Sequence, residues 1–311
     1  TLFSGEKSSI RRMYYLCNSV IIFDEVQAFP VKGTELFHLA VNFLTAFCNT
    51  TVILCSATQP SLAHLKENNL FDCIEMTGSS GRYAEAFRRV EIEDKTKLVP
   101  GGMEPEDVGE FAVKAFREFG SVLIIVNTTK CAKRIYEELK RRCGESCALY
   151  HLSTRMCPKN RKEELESIKR DLKDKKPLIC VSTQLIEAGV NLSFCCVIRS
   201  LAGLDSIIQA AGRCNRHKER ARGKVYIVKL SQAAERLDSL YDIRRAQEAA
   251  EKFLYYFNQT PEEFGGFLDS EASVKAYYEE YFHDSNAEPT KYPSSSCETT
   301  LEELLGRNKP G

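Results

Sequence analysis

Ser19-Val20-Ile21-Ile22-Phe23-Asp24-Glu25-Val26-Gln27 is the stretch on which the reading of this chain turns. A short run of β-branched and aromatic residues is the pattern of a strand buried on both faces. Two adjacent carboxylates close it, at the C-terminal edge where α/β sheets place their ligands. In a nucleoside triphosphatase, the first carboxylate of such a pair holds Mg²⁺ through water. The second orients or deprotonates the attacking water. The same residues also suit an acidic strand end that caps a following helix.

Working outward, residues 34–47 have helical periodicity and residues 51–55 form the next apolar run. A short helix is expected over residues 61–68. This β-α-β-α order implies a parallel sheet with helices on its faces. Glycines, prolines and charges then cluster from Thr77 to Pro105 and read as a crossover, with a strand candidate at residues 88–92 inside it. A second α/β unit follows. Helices are expected over 105–119, 131–143, 160–173, 206–211 and 232–257. Strands are expected over 121–126, 147–151, 178–182, 194–199 and 224–230. The expected division is 1–76, the C-terminal part of a first parallel-sheet domain; 77–104, the crossover; 105–231, a second parallel-sheet domain; and 232–311, a helical accessory segment.

Composition bounds the function less than the motifs do. Lys+Arg and Asp+Glu both number 43, so a basic footprint for nucleic acid has to be local. No apolar run reaches the ~18 residues of a membrane span. The 13 cysteines are scattered and include no C-x-x-C pair, which fits buried thiols in a reducing cytoplasm better than a zinc site. The first residues, Thr1-Leu2-Phe3-Ser4, are not a signal peptide and contain no initiator Met; the expectation is a chain that begins inside a longer protein.

Three further segments lie at or just beyond strand candidates. Ser56-Ala57-Thr58 follows the strand after the acidic pair, and also suits an ordinary N-cap. Ser182-Thr183-Gln184-Leu185-Ile186-Glu187-Ala188-Gly189-Val190-Asn191 has the hydroxyls and glycine that suit phosphate contact. It also suits a capping box, with Ser182 or Thr183 and Glu187 as its members. Gln209-Ala210-Ala211-Gly212-Arg213-Cys214-Asn215-Arg216 places two arginines on one helix face in the expected reading, able to stabilise charge on a leaving phosphoryl group.

As an ordered set these segments resemble the motifs of superfamily-two helicases. Asp24-Glu25-Val26-Gln27 resembles the DEAD/DEAH box, Ser56-Ala57-Thr58 motif III, Val126-Asn127-Thr128 motif IV, residues 182–191 motif V and residues 209–216 motif VI. Within that superfamily the chain resembles the CRISPR-associated helicase-nucleases of type I systems. Their SVIILDEAQ-, CSATQP-, STQLIEAGV- and QAAGRCNR-type segments recur here almost unchanged. Residues 2–12 and 301–305 resemble the family too.

The resemblance implies two RecA-like parallel-sheet domains, the first incomplete, with a C-terminal helical extension. It implies ATP and Mg²⁺ as cofactors, with Asp24 and Glu25 as the metal and catalytic carboxylates. Arg213, Arg216 and Gln209 would reach the nucleotide from the second domain, and the carboxylates would face those guanidiniums across a gap that could hold a triphosphate. Gln27 would couple nucleotide state to the second domain, and Ser56 and Thr58 would link hydrolysis to closure. Gly189 and Asn191 would lie near the nucleotide, Asn191 standing where the family commonly has Asp. Asn127, Thr128, Thr183 and Gln184 would contact the DNA backbone. The implied partners are single-stranded DNA and the RNA-guided surveillance complex, bound by a cytoplasmic monomer.

No G-x-x-x-x-G-K-[ST] run is present, and Gly5-Glu6-Lys7-Ser8 lacks its spacing. In the family that loop and an HD nuclease domain lie upstream. The expectation is therefore that this chain alone does not hydrolyse ATP although its parent does. Another superfamily-two DNA or RNA helicase, or an interaction module with relic motor motifs, are the alternative readings.

Overall fold

The computed structural model describes residues 7–26, 29, 33–56, 70, 73–76, 88–144, 147–187, 190–283 and 300. The chain divides into two compact units, Thr1–Ser79 with Tyr278–Gly311, and Ser80–Tyr277.

In the first unit, α1 (Lys7–Leu16) precedes β1 (Val20–Phe23), and α2 (Thr34–Phe47) leads to β2 (Thr51–Leu54). The two strands pair in parallel, Phe23 opposite Leu54. Phe37 and Val41 of α2 pack with Val26 against Phe23, Val52 and Leu54. The expected burial of this strand is corrected: the alternate side chains Val20 and Ile22 are 65% and 63% exposed, so among the described residues one face of β1 is uncovered. The expected helix at residues 61–68 lies outside the described residues.

The second unit is built on six parallel strands in the order β3-β8-β7-β4-β6-β5. These are β3 (Val90–Asp94), β4 (Ser121–Val126), β5 (Ala148–Leu152), β6 (Leu178–Thr183), β7 (Cys196–Ser200) and β8 (Gly223–Val228). Between them run α3 (Pro105–Phe119), α4 (Thr129–Cys143), α5 (Pro158–Lys173) and α6 (Leu204–Ala211); α7 (Tyr241–Phe257) and α8 (Glu271–His283) follow β8. β4 shows why its run is wholly apolar. Val122, Ile124 and Val126 face Ala112, Ile135 and Leu139 on one side of the sheet. Leu123 and Ile125 face Ile168, Phe194 and Ala210 on the other. A strand covered on both faces has no solvent side to make polar.

Three further expectations need correction. β3 lies within the segment read as a crossover, yet pairs along its whole length with β8. It is an edge strand, so it tolerates Glu91 and Glu93, both bridged by Lys224 of β8 at 2.8 and 2.6 Å. The helix expected from residue 232 begins only at Tyr241; before it, Ser231 Oγ accepts from the Ala234 amide in a turn. Residues 232–277 fall in the second unit, so the accessory segment is in large part integral to it.

Candidate nucleotide and nucleic-acid site

The acidic pair sits where β1 ends. Asp24 and Glu25 are both exposed. Asp24 Oδ1 accepts the Glu25 amide at 3.0 Å, and Glu25 adopts the left-handed conformation, φ 55°. That conformation is strained for a glutamate and is found at functional turns. The Cys55 amide donates to the Phe23 carbonyl at 2.8 Å, and the Val26 amide to the Cys55 carbonyl at 3.1 Å. These bonds bring Ser56, half-buried, to the same sheet edge as the carboxylates. Gln27 and Thr58 lie outside the described residues.

In the second unit, all strands being parallel, their carboxyl ends share one edge. Val126 is level with Thr183, and Ile125 with both Ser182 and Arg199. The exits of β4, β6 and β7 are therefore neighbours. Thr183 is buried, and its Oγ1 has no hydrogen-bond partner among the described residues. Gln184 opens a 3-10 turn, Gln184–Ile186, and is half-buried. No side-chain cap forms at Thr183, so the capping-box alternative is not what this loop adopts. Asn191 is exposed. Gly189 lies outside the described residues.

Asn127 is not available to DNA as expected. It is buried, and its side-chain amide donates to Glu235 Oε2 at 2.8 Å and to the Leu201 carbonyl at 3.0 Å. Its Oδ1 accepts from Arg199 Nη1 at 2.8 Å. Thr128 is half-buried and is the N-cap of α4, its Oγ1 accepting the Cys131 amide at 3.3 Å.

The arginine pair does not ride on a helix. α6 ends at Ala211 with Gly212 as its C-cap, and Asn215 turns the chain with φ 46°. Gly212 closes the helix in the right-handed region, φ −61°, where glycine still disfavours continuing it. Arg213 is buried and donates from Nε to the Ile186 carbonyl at 2.9 Å and from Nη2 to the Glu187 carbonyl. It fastens the loop after β6. Arg216 is half-buried; its amide donates to Ser193 Oγ and its carbonyl accepts from Arg89. Its guanidinium has no partner among the described residues. Gln209, on α6, is half-buried as well.

Residues 118–219 match the family profile described as CRISPR-associated nuclease/helicase Cas3, C-terminal. The CRISPR-associated nuclease/helicase Cas3 of Haloferax volcanii is 41% identical over 91 residues, 29% of this chain and 10% of that protein. Residues 118–219 are thus similar to the C-terminal part of Cas3 nuclease/helicases. The Cas3 likeness extends to the fold: the crystal structure of T. fusca Cas3-ATP superposes with a TM-score of 0.63 at 17% identity, over 93% of this chain and 36% of that one. A CRISPR RNA-guided surveillance complex, pre-nicking, contains a chain that superposes with a TM-score of 0.60 at 16% identity, over 93% of this chain and 39% of that one. The chain thus spans well under half of the Cas3 proteins it matches.

The Cas3-matched stretch holds Asn127, Thr183, Gln184, Asn191, Gln209, Arg213 and Arg216; Asp24, Glu25 and Ser56 precede it. It also holds two residues the motifs did not single out as functional, Glu187 and Arg199. Their signal was present: Arg199 is a lone charge inside the buried strand Cys196–Ser200. Fully buried charges are rare unless paired. Among the described residues, no helix is long and apolar enough to cross a membrane.

Proposed function

We propose that this chain is part of an ATP-driven translocase that moves along single-stranded DNA in CRISPR defence, working as a cytoplasmic monomer with an RNA-guided surveillance complex. The observation that carries the reading is the shared edge of the second sheet. There the β6 exit, with Thr183 and Gln184, is tied through Arg213 to the turn that bears Arg216, whose guanidinium has no partner among the described residues.

Asp24 and Glu25 fit a magnesium–nucleotide complex. Mg²⁺ takes hard oxygen ligands, commonly one or two carboxylates with the rest from water and phosphate. An exposed carboxylate pair on a strained turn supplies that much. Bound Mg²⁺ would neutralise charge developing on the transferred phosphate. Asp24 would hold the metal when it is bound, and Glu25 would orient the attacking water and take its proton. Arg216 would stabilise the leaving phosphate, and Gln209, Gly189 and Asn191 would contribute to nucleotide binding. Arg213 serves them by holding the 184–187 loop. Gln27, Ser56 and Thr58 couple hydrolysis to movement. Thr183 and Gln184 grip the DNA backbone, with Thr128 beside them.

Phosphate release, measured on the full-length protein with and without single-stranded DNA, tests this. Turnover stimulated by DNA over RNA, and lowered by at least ~100-fold in Asp24→Ala, is expected. Equal stimulation by RNA points to another superfamily-two helicase. Absence of nucleotide turnover points to an interaction module and sinks the motor reading.

A further inference from the structure

The exits of β4, β6 and β7 enclose a buried polar chain of which the proposed chemistry uses only Arg213. Its centre is Arg199, which has no exposed surface. On one side, Arg199 Nη1 donates to Asn127 Oδ1 and to the Ser200 carbonyl, both at 2.8 Å. Asn127 is clamped in turn by Glu235, whose Oε1 accepts its amide at 2.6 Å and whose Oε2 accepts its Nδ2 at 2.8 Å. Ser200 Oγ donates to the same Oε2 at 2.6 Å. On the other side, Arg199 Nε lies 2.8 Å from Glu187 Oε1. The carbonyl of Glu187 itself accepts from Arg213. The chain therefore runs Glu235–Asn127–Arg199–Glu187–Arg213, and joins the turn after β8 to the residues that serve nucleotide and DNA.

Stability alone does not account for it. The Arg199–Glu187 pair is close but not aligned as a hydrogen bond, and Arg199 Nη2 has no partner among the described residues. Replacing such a buried, imperfectly satisfied ion pair by apolar side chains is often neutral or stabilising. The neighbouring strands show the alternative, since every residue of Ser121–Val126 and Leu178–Thr183 is buried without a charge. What the charges add is direction: Arg199 fixes Glu187, and Glu187 fixes the loop that Arg213 also holds.

We propose that Arg199 and Glu235 are positioning residues that lock the 184–187 loop and Arg213 to the β4 exit, so that contact with DNA at Thr183 and Gln184 is felt at the nucleotide. This rests on the function proposed above. The same polar chain makes a structural claim that needs no turnover.

The experiment compares the full-length wild type with Arg199→Lys, Glu235→Gln and the double variant Arg199→Met/Glu187→Gln. The double variant is expected to fold with a melting temperature at most modestly lowered, because the ion pair is removed as a unit while Asn127 Oδ1 and the Ser200 carbonyl lose one donor. Stimulation of phosphate release by single-stranded DNA is expected to fall by about tenfold in it, with the KM for ATP nearly unchanged. Arg199→Lys keeps the charge but loses the fork and falls between; Glu235→Gln retains one acceptor and does the same. Wild-type stimulation in the double variant overturns the proposal and leaves Arg199 as core packing. If the wild type itself shows no DNA-stimulated turnover, the motor reading fails and amide hydrogen exchange decides the positioning claim. Faster exchange at residues 184–187 in the double variant, with β4 unchanged, upholds it; unchanged exchange there overturns it.

Discussion

Glu187 lies among Arg199 of β7, Arg213 after α6 and Asp205 of α6, and burial outweighs the two guanidiniums. Desolvation, helped by Asp205, pushes its carboxyl up to about 7 against the pull of Arg199 and Arg213. The fold thus favours the protonated form more than the unfolded chain does. That contribution is complete below the ordinary carboxylate range and is lost as pH rises through about 7. The stability of wild type relative to Glu187→Gln is therefore expected to fall between about pH 5 and pH 8, read from paired melts. A difference that stays constant, or grows with pH, contradicts it. The two arginines separate in the same way. Arg213→Ala strips donors from the carbonyls of Ile186 and Glu187 and leaves a hole, so about 2–4 kcal/mol of stability is expected to go. Arg216→Ala removes a guanidinium that has no partner among the described residues. Its melting curve is expected to stay within about 0.5 kcal/mol of wild type, while DNA-stimulated phosphate release drops about 1,000-fold. Loss of stability without loss of turnover would remove Arg216 from the nucleotide.

Among the elements, the close approach of Gly102 to the strand end of β8 has a definite consequence. Gly102 has φ 95°, and a Cβ there would lie 2.6 Å from the Leu230 carbonyl carbon. The chain is pinned at this point by a parallel bridge between Met103 and Leu230. Gly102→Ala is expected to cost more than ~1 kcal/mol by chemical denaturation, through both the left-handed backbone and the clash. A variant as stable as wild type would mean that the segment before α3 can shift freely. What the sequence made legible follows the range of the interactions. The helix Thr34–Phe47 and the strand Ser121–Val126 appear at their expected bounds, because periodicity and an unbroken apolar run are local signals. The place of β3 in the second sheet was hidden, because pairing with β8 joins residues more than a hundred positions apart. The end of α6 was visible in Gly212 but was overridden by the pull of two evenly spaced arginines. The buried chain through Arg199 was least legible. Glu235, Asn127 and Glu187 are ordinary surface residue types; the register of β4, β6 and β7 sets the strand exits before Asn127 and Glu187 beside Arg199, and Glu235 reaches Asn127 from the turn after β8.

For the whole molecule, equal numbers of basic and acidic residues mean that no global field draws the chain to a polyanion. On the proposed function, affinity for DNA would come from local cations and from neutral donors at the sheet edge, and the two behave differently in salt. Each phosphate neutralised by a cation on single-stranded DNA adds about −0.7 to the slope of log affinity against log salt. A neutral amide adds nothing to that slope. Gln184 is half-buried at the β6 exit and uncharged, so Gln184→Ala is expected to weaken binding by about fivefold or more while leaving the slope as it was. Fluorescence anisotropy of a labelled oligonucleotide, titrated at several salt concentrations, reads both quantities. Parallel, displaced lines place Gln184 in direct contact with the backbone. A slope that flattens by about one phosphate's worth means the substitution has dislodged a basic side chain, and the contact belongs to that residue instead. Superimposed lines remove the β6 exit from the DNA path, and with it the reason for a polar chain linking that exit to Arg213.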